Sequence, residues 1–148
     1  IDFSLRYQAM DWLFLDLDAN YTHARAIEED ELNDYIPLAP KFTCAGGITA
    51  KHNSGIYGSL NVRMMGDRPA NEDNSIVAEG YAVADLHLAY QHNQLNYGVQ
   101  IQNLFNTEWN ETQFATESRL ANENLPVEEI HFTPGTPFFL KGFVEYKF

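Results

Sequence analysis

Apolar and polar residues alternate along most of the chain with a period of two. The clearest run begins at Leu13 and continues to Tyr21: its odd positions are apolar or aromatic, and its even positions include Asp16 and Asp18. A period of two places successive side chains on opposite faces of a β-strand, whereas a helix repeats every 3.6 residues. The pattern therefore predicts a long strand with one apolar face.

Seven segments pass the same test, and each is predicted to form one strand. They cover residues 2–9, 12–26, 40–51, 55–65, 79–91, 94–104 and 137–148. Three of the connections between them are short, at residues 10–11, 52–55 and 91–94, and short turns join antiparallel neighbours. The predicted fold class is all-β, an antiparallel up-and-down meander in which each strand pairs with its neighbour in sequence.

The alternation also predicts which residues share a face of this sheet. One face should carry Leu13, Leu15, Leu17, Leu60, Val62, Leu86, Leu88, Val99, Ile101, Val144 and Tyr146. The other should carry Asp16, Asp18, Asn61, Arg63, Asp85, His87, Gln100, Gln102, Lys141 and Glu145. A shift of one residue in the pairing would exchange the two sets, so the prediction is specific.

The other three connections are long, at residues 27–38, 66–79 and 105–137, and they alternate strictly with the short turns. This arrangement is typical of transmembrane β-barrels, which have short turns on the periplasmic side and longer loops outside. Aromatic side chains near strand ends suit the two membrane interfaces. They are Trp12, Tyr21, Phe42, Tyr90, Tyr97 and Tyr146.

Charge separates the long connections from the strands. The chain has a formal net charge of −12, and the three long connections contain fifteen acidic residues but only two basic ones, Arg68 and Arg119. A surface this acidic repels a phosphate backbone, which excludes nucleic acid as a partner. Most of the acidic residues, and with them the net charge, therefore belong to the predicted outer loops, and the remainder of the chain is close to neutral.

Three segments resemble those of TonB-dependent receptors. These are Ile36-Pro37-Leu38-Ala39-Pro40 before a strand, Gln102-Asn103-Leu104-Phe105-Asn106-Thr107-Glu108-Trp109 after one, and a last strand that ends in Val144-Glu145-Tyr146-Lys147-Phe148. Two features depart from the family pattern, because a Pro-Arg pair that usually precedes the last strand reads Pro137-Phe138 and Gly142 interrupts the apolar row.

The resemblance implies a C-terminal segment of a transmembrane barrel of about 22 strands. Residues 1–148 would be its last seven strands, with the plug domain and the remaining strands absent. The implied location is the bacterial outer membrane. The implied partners are membrane lipid, a small nutrient ligand (an iron complex, cobalamin or an oligosaccharide), the energy-coupling protein TonB through the missing N-terminal part, and the barrel-assembly machinery through the strand ending at Phe148.

Candidate ligand contacts lie on the polar face of the strands. Asp85 and His87 are two residues apart and could grip a ligand together, although such pairs more often hydrogen-bond to neighbouring strands or to a plug. Arg63 could supply the positive charge that an anionic iron chelate requires. The histidines His23, His52, His92 and His131 are widely separated and predict no metal site.

The acidic run Glu28–Glu31 lacks the spacing of a calcium loop and is expected to be solvated. Cys44, on the apolar face, is expected to behave as a small hydrophobic residue. No catalytic motif, cofactor cradle or paired catalytic carboxylate is evident, so we expect neither enzyme activity nor a cofactor. The alternative to a transporter is a soluble or cell-surface β-sandwich or barrel that binds its partner through the acidic loops.

Overall fold

The computed structural model describes residues 1–27 and 33–148. Within these two ranges it contains eleven β-strands and no helix. They are β1 (Asp2–Met10), β2 (Leu13–Tyr21), β3 (Phe42–Lys51), β4 (Ile56–Met65), β5 (Arg68–Pro69), β6 (Val77–Ala78), β7 (Tyr81–His92), β8 (Leu95–Gln102), β9 (Asn110–Ser118), β10 (Val127–Pro134) and β11 (Phe139–Tyr146). None of the described residues forms a helix long and apolar enough to cross a membrane.

Seven long strands form one antiparallel sheet in the order β1-β2-β3-β4-β7-β8-β11. Each of them pairs with the next long strand along the chain, as the sequence predicts. β1 and β11 are the two edge strands. The short turns all lie at one end of the sheet, which we call the turn end, and the long connections lie at the other, the loop end.

Some predicted strand limits are wrong. β2 ends at Tyr21 rather than at residue 26, and beyond it an isolated bridge joins Arg25 to Tyr35. β8 ends at Gln102 because Asn103 adopts a left-handed backbone with φ of 49°. A left-handed residue turns the chain out of the extended conformation, and asparagine tolerates it better than most residues.

The prediction of seven strands also misses two hairpins inside the long connections. β9 and β10 pair as an antiparallel hairpin within residues 105–137, and β5 and β6 form a minimal one within residues 66–79. Many residues on both faces of β9–β10 are exposed, and polar residues interrupt its apolar ones, so that no continuous apolar row is present. A pattern that depends on one apolar face cannot detect such a hairpin.

Strand register confirms both predicted faces. One row of directly opposed residues, all apolar, crosses five strands: Leu15, Ile48, Leu60, Leu86 and Ile101. The row beside it on the opposite face contains Asp16, Gly47, Asn61 and Asp85. Opposed residues in an antiparallel pair point to the same side of a sheet. The remaining residues of both predicted sets follow from these rows by alternation along each strand.

The apolar face of the sheet is not covered by the rest of the described chain. Leu88 is 48% exposed and Val144 is 75% exposed, and the buried apolar side chains of the described residues are small: Ala70, Ala78, Val83, Ala84 and Ala89. Ordinary soluble proteins bury such a face to obtain most of their stability. This sheet therefore presents an extended apolar surface to its surroundings.

Aromatic residues lie at both ends of that apolar face, and aliphatic residues fill the middle. Phe3, Tyr21 and Phe42 lie at the loop end, where Tyr21 pairs with Phe42. Tyr90 and Tyr97 are direct partners at the turn end, with ring centroids 5.8 Å apart. The long strands contain eight to twelve residues, close to the roughly 9–11 residues that a tilted strand needs to cross a bilayer.

Candidate functional site

All charged residues of the seven long strands lie on the polar face. They are Asp2, Arg6, Asp16, Asp18, Lys51, Arg63, Asp85, Lys141 and Glu145. Five of them are acidic and four are basic, and the closest pair joins Arg6 Nη2 to Asp18 Oδ2 at 2.6 Å. This face is therefore a hydrated, nearly neutral surface on which individual charges can meet a ligand.

Arg63 lies on this face near the loop end of β4, between β3 and β7 and beside the longest connection. Its Nη2 atom is 4.0 Å from Oδ2 of Asp85 on the neighbouring strand, and both side chains remain partly exposed, at 53% and 36%. The Arg63 guanidinium carbon also lies 5.0 Å from the centroid of the Trp109 ring. An exposed ion pair of this length contributes little to stability, so the guanidinium remains available to a ligand.

Trp109 brings the base of the longest connection onto the polar face. Its ring centroid is 4.8 Å from that of Tyr81, and its indole Nε1–H donates to the carbonyl oxygen of Thr136 at 3.0 Å. A Cβ added at Gly135 would overlap Cε2 of this ring. Glycine at position 135 is thus what allows the indole to pack here.

Asn103 holds the two ends of the same connection together. It is only 3% exposed, and its side-chain amide donates to the carbonyls of Thr107 and Thr136 and accepts from the Thr107 backbone. Its backbone N–H donates to Oδ1 of Asp85 at 2.9 Å. Farther along, the Asn106 side chain accepts from the backbone of Phe138. The Asn103–Asn106 segment that carries the family resemblance is therefore a structural clamp.

The structure brings only two of the three predicted ligand contacts together. Arg63 and Asp85 face each other, whereas His87 has its own aromatic neighbours. Its ring stacks on Phe143 with centroids 5.5 Å apart and lies 5.7 Å from the ring of Tyr57. Asp85 also has a structural role, since one of its oxygens accepts the Asn103 N–H. A shallow cavity of about 240 Å³ connects Arg63 and Asp85 with Asp16, Asp18 and Asn61.

Hydrogen bonds link the three long connections at the loop end. The backbone of Tyr35 donates to Glu72, and that of Leu38 donates to Pro69 at 2.7 Å. Gln113, which is 4% exposed, bonds through its amide to both the N–H and the carbonyl of Glu79. Because each long connection is hydrogen-bonded to the next, the three form one continuous surface above the sheet rather than three separate loops.

Trp109, Gly135 and Gln113 were not found by sequence reasoning. Trp109 stands two residues after the Asn103–Thr107 segment, and Gly135 lies in the unusual run Thr133-Pro134-Gly135-Thr136-Pro137. The role of these two residues is visible only in the folded chain, where Gly135 lies against the Trp109 ring. Gln113 carries no local signal, because its partner is the backbone of a residue 34 positions away.

Among residues 1–27 and 33–148 there is no group of three or more side chains that could hold a metal ion. The acidic run Glu28–Glu31 lies outside the described residues. Cys44 is a half-buried free thiol on the apolar face of β3, opposite Met64. His131 stacks on Phe114 within the β9–β10 hairpin, and His52 packs edge-on against Trp12 at the turn end.

No protein-family model and no curated protein matches the chain. Solved structures do match it, and two TonB-dependent receptors are among them. The ferric yersiniabactin uptake receptor FyuA from Yersinia pestis has a TM-score of 0.67 and 17% identity over 99% of this chain. The ferric citrate transporter FecA in its unliganded form has a TM-score of 0.63 and 16% identity over 91%.

The match covers only part of each solved structure. This chain spans 23% of the length of the first and 21% of the second. At these identities the likeness concerns the fold, and it confirms the predicted fold class: an antiparallel sheet like that found in TonB-dependent receptor barrels.

Proposed function

We propose that this chain is the C-terminal barrel wall of a TonB-dependent outer-membrane receptor that takes up a scarce nutrient, such as an iron–siderophore complex. The observation that carries the proposal is the division of the sheet. Every charged residue of the seven long strands lies on one face, and the other face is aliphatic with aromatic ends. The fold shared with two receptors of this class supports it.

Contact with membrane lipid would explain why the apolar face is not covered by protein. A Lys or Arg facing lipid at mid-bilayer costs about 2–4 kcal/mol, and the apolar face carries neither in the seven strands. The aromatic residues at its two ends would lie at the membrane interfaces. A soluble binding module with this sheet would need a protein layer over the same face, and the described residues provide none.

The two edge strands support the proposal that the sheet is part of a larger closed barrel. In lipid, the unpaired backbone groups of β1 and β11 would each cost several kcal/mol, because no water can satisfy them. Remaining strands of the same protein would pair with both edges, and a plug domain would cover the polar face. TonB would act through the plug domain, and the assembly machinery through the strand ending at Phe148.

The long connections would then face the extracellular medium and the short turns the periplasm. Binding residues concentrate on loops held by a rigid scaffold, and the hydrogen-bonded long connections form such a surface. They are acidic, so they favour a neutral or cationic solute, while an anionic iron chelate would need positive charge deeper inside. Cobalamin and oligosaccharides remain candidate ligands for the same surface.

Arg63 is the best-placed side chain for an anionic ligand. It is half-exposed on the polar face, directly below the longest connection, and Trp109 holds its guanidinium from one side. A guanidinium donates two parallel hydrogen bonds to a carboxylate, the group that chelates iron in many small complexes. We assign Asp85 the role of orienting Arg63, and His87 the role of a separate aromatic contact.

Uptake by intact bacteria tests the proposal. The gene for the full-length receptor is deleted, and binding and uptake of labelled iron complexes, cobalamin and oligosaccharides are compared with and without the gene on a plasmid. We expect energy-dependent uptake of one of these solutes to disappear and return. If the receptor assembles in the outer membrane but its deletion changes the uptake of none of them, the transport proposal is wrong for these solutes.

A matched pair of arginines tests the proposed contact. Losing a hydrogen bond to a charged group should weaken binding of an anionic ligand by about tenfold or more in Arg63→Gln. Arg6→Gln removes a charge from the same face, but Arg6 is already engaged with Asp18 at 2.6 Å. Equal binding by the two variants would remove Arg63 from the site and leave the transport proposal standing.

A further inference from the structure

A groove crosses the apolar face near the turn end of the sheet. It has a volume of about 500 Å³, within the range of small-molecule sites, and its walls are almost entirely apolar. The side chains along it are Trp12, Ile48, Ala50, Ile56, Leu60, Leu86 and Leu88. Aliphatic residues line the end of the groove towards the middle of the sheet. The ring of Trp12 lines its other end, at the proposed membrane interface.

Two small residues create the groove. Ala50 and Gly58 are direct partners on β3 and β4, between the larger pair Ile48 and Leu60 and the end of the strands. A Cβ at Gly58 would overlap the carbonyl oxygen of His87, so the close approach of β4 to β7 requires glycine here. The missing side-chain volume is therefore built into the strand pairing.

Polar groups lie at the turn end of this groove. His52 and Ser54 both contribute to its lining. The Ser54 backbone N–H donates to Nδ1 of His52 at 3.2 Å, and the Ser54 hydroxyl lies 2.9 Å from the same nitrogen. Because Nδ1 accepts a hydrogen bond, the neutral imidazole carries its proton on Nε2. His52 thus carries an N–H donor on Nε2 beside the ring of Trp12, which the proposed function puts at the membrane interface.

We propose that this groove binds one glycerophospholipid of the periplasmic leaflet, with an acyl chain along Ala50 and Gly58 and a phosphate or ester oxygen accepting the Nε2–H of His52. The inference rests on the proposed function, which places the apolar face in lipid. An apolar channel that ends in a hydrogen-bond donor at the headgroup level fits a molecule with the same division. A peptide would leave most of its backbone unsatisfied on the apolar part.

Native mass spectrometry of the delipidated full-length receptor in detergent provides the test. Palmitoyl-oleoyl phosphatidylglycerol, palmitoyl-oleoyl phosphatidylethanolamine and glycerol 3-phosphate serve as probes. We expect one saturable lipid per receptor, with similar affinity for the two lipids because they share the recognised oxygens. Glycerol 3-phosphate, which lacks acyl chains, should not bind. The proposal would be overturned if every lipid adduct were non-saturable, or if glycerol 3-phosphate bound as strongly as the lipids.

Matched variants locate the lipid. Ala50→Phe fills the groove and should weaken binding at least tenfold, while Ala82→Phe adds the same ring to the same face at the loop end and should not. Ala50→Leu provides a smaller change if the phenylalanine disturbs assembly. His52→Ala should weaken binding about two- to tenfold, and His92→Ala, which removes a ring stacked on Tyr90 outside the groove, should have no effect.

Equal retention of lipid by Ala50→Phe and the unchanged receptor would overturn the inference, as would equal loss from both phenylalanine variants. These outcomes are separable from a failure of the proposed function. A receptor that inserts and transports but holds no lipid in the groove contradicts only the inference. A full-length protein that does not enter the outer membrane contradicts the proposed function itself.

Discussion

Gly135→Ala should release the base of the longest connection from the sheet. The added Cβ overlaps the Trp109 ring, so the indole has to leave its position. Three interactions are lost with it: the contact with the Tyr81 ring, the hydrogen bond to the Thr136 carbonyl, and the approach of the Arg63 guanidinium. The loop end then opens locally, whereas the pairing of the long strands is unaffected.

The magnitude follows from these three losses. An aromatic pair contributes about 0.5–1.5 kcal/mol, a neutral hydrogen bond about 0.5–1.5 kcal/mol and an exposed cation–π contact about 0.5–1 kcal/mol. Together they amount to about 1.5–4 kcal/mol of local opening free energy. Since about 1.4 kcal/mol corresponds to a factor of ten, amide exchange at the clamp should accelerate roughly 10- to 1,000-fold.

Hydrogen–deuterium exchange of the full-length receptor in lipid measures this opening. The informative peptides cover residues 107–111 and 133–137, which contain the hydrogen bond from the backbone of Gly135 to that of Trp109 at 2.8 Å. Gly142→Ala is the matched control, because a Cβ there meets nothing nearer than an oxygen 4.0 Å away. Unchanged exchange in Gly135→Ala, or the same acceleration in Gly142→Ala, would refute the reasoning.

A double variant gives a second check on the mechanism. If the clash between the new Cβ and the indole is the whole effect, adding Gly135→Ala to Trp109→Ala should change exchange little further. Non-additivity of this kind is what contacting residues show in a double-mutant cycle. Fully additive effects would mean that Gly135 acts through something other than the Trp109 ring.

Three further predictions concern the loops and the membrane face. Gln113→Ala should destabilise the loop end by about 1–3 kcal/mol, measured by exchange, because the part-buried N–H and carbonyl of Glu79 lose the buried amide that pairs with both. Hydrogen bonds from the Ser75 backbone and hydroxyl lower the pKa of Asp73 below 3.8. The stabilisation that these hydrogen bonds give the turn is therefore present above pH 3.8 and lost as the pH falls through the lowered pKa. The Ser75 amide should exchange faster at that low pH, once its rate is corrected for the intrinsic pH dependence of exchange. Leu60→Arg should reduce barrel stability in lipid by about 2–4 kcal/mol in a denaturant titration, and Asn61→Arg on the opposite face should not.

The strands and their faces could be predicted from the sequence because each of the long strands has one apolar side. Alternation from Leu13 to Tyr21 specifies both the strand and its orientation, and the short turns specify which strands pair. The early end of β2 was missed although Ala24 and Ala26 stand at even positions, out of phase with the odd apolar positions that end at Tyr21. The exposed β9–β10 hairpin was missed because water surrounds much of both its faces, which leaves no apolar row to detect.

The candidate site was less predictable for a related reason. Arg63 and Asp85 could be placed on one face by parity alone, and the structure shows them as neighbours. The contribution of Trp109 depends on a connection of more than thirty residues folding back, with Asn103 and Gly135 closing it. Such long-range contacts leave no periodic signal in the sequence. His87 illustrates the limit of parity: it shares the face with Asp85 yet contacts a separate aromatic pair.

The most direct test of the central claim is to measure whether each face of the sheet contacts lipid or water in a bilayer. Nitroxide labels at Val99→Cys and Gln100→Cys, in the full-length receptor with Cys44 and any other cysteine replaced, report collision with oxygen and with a water-soluble nickel chelate. We predict that oxygen relaxes the label at position 99 more strongly and that the nickel chelate relaxes the label at position 100 more strongly. Equal access of the nickel chelate to both positions in the assembled receptor would contradict the membrane-barrel account.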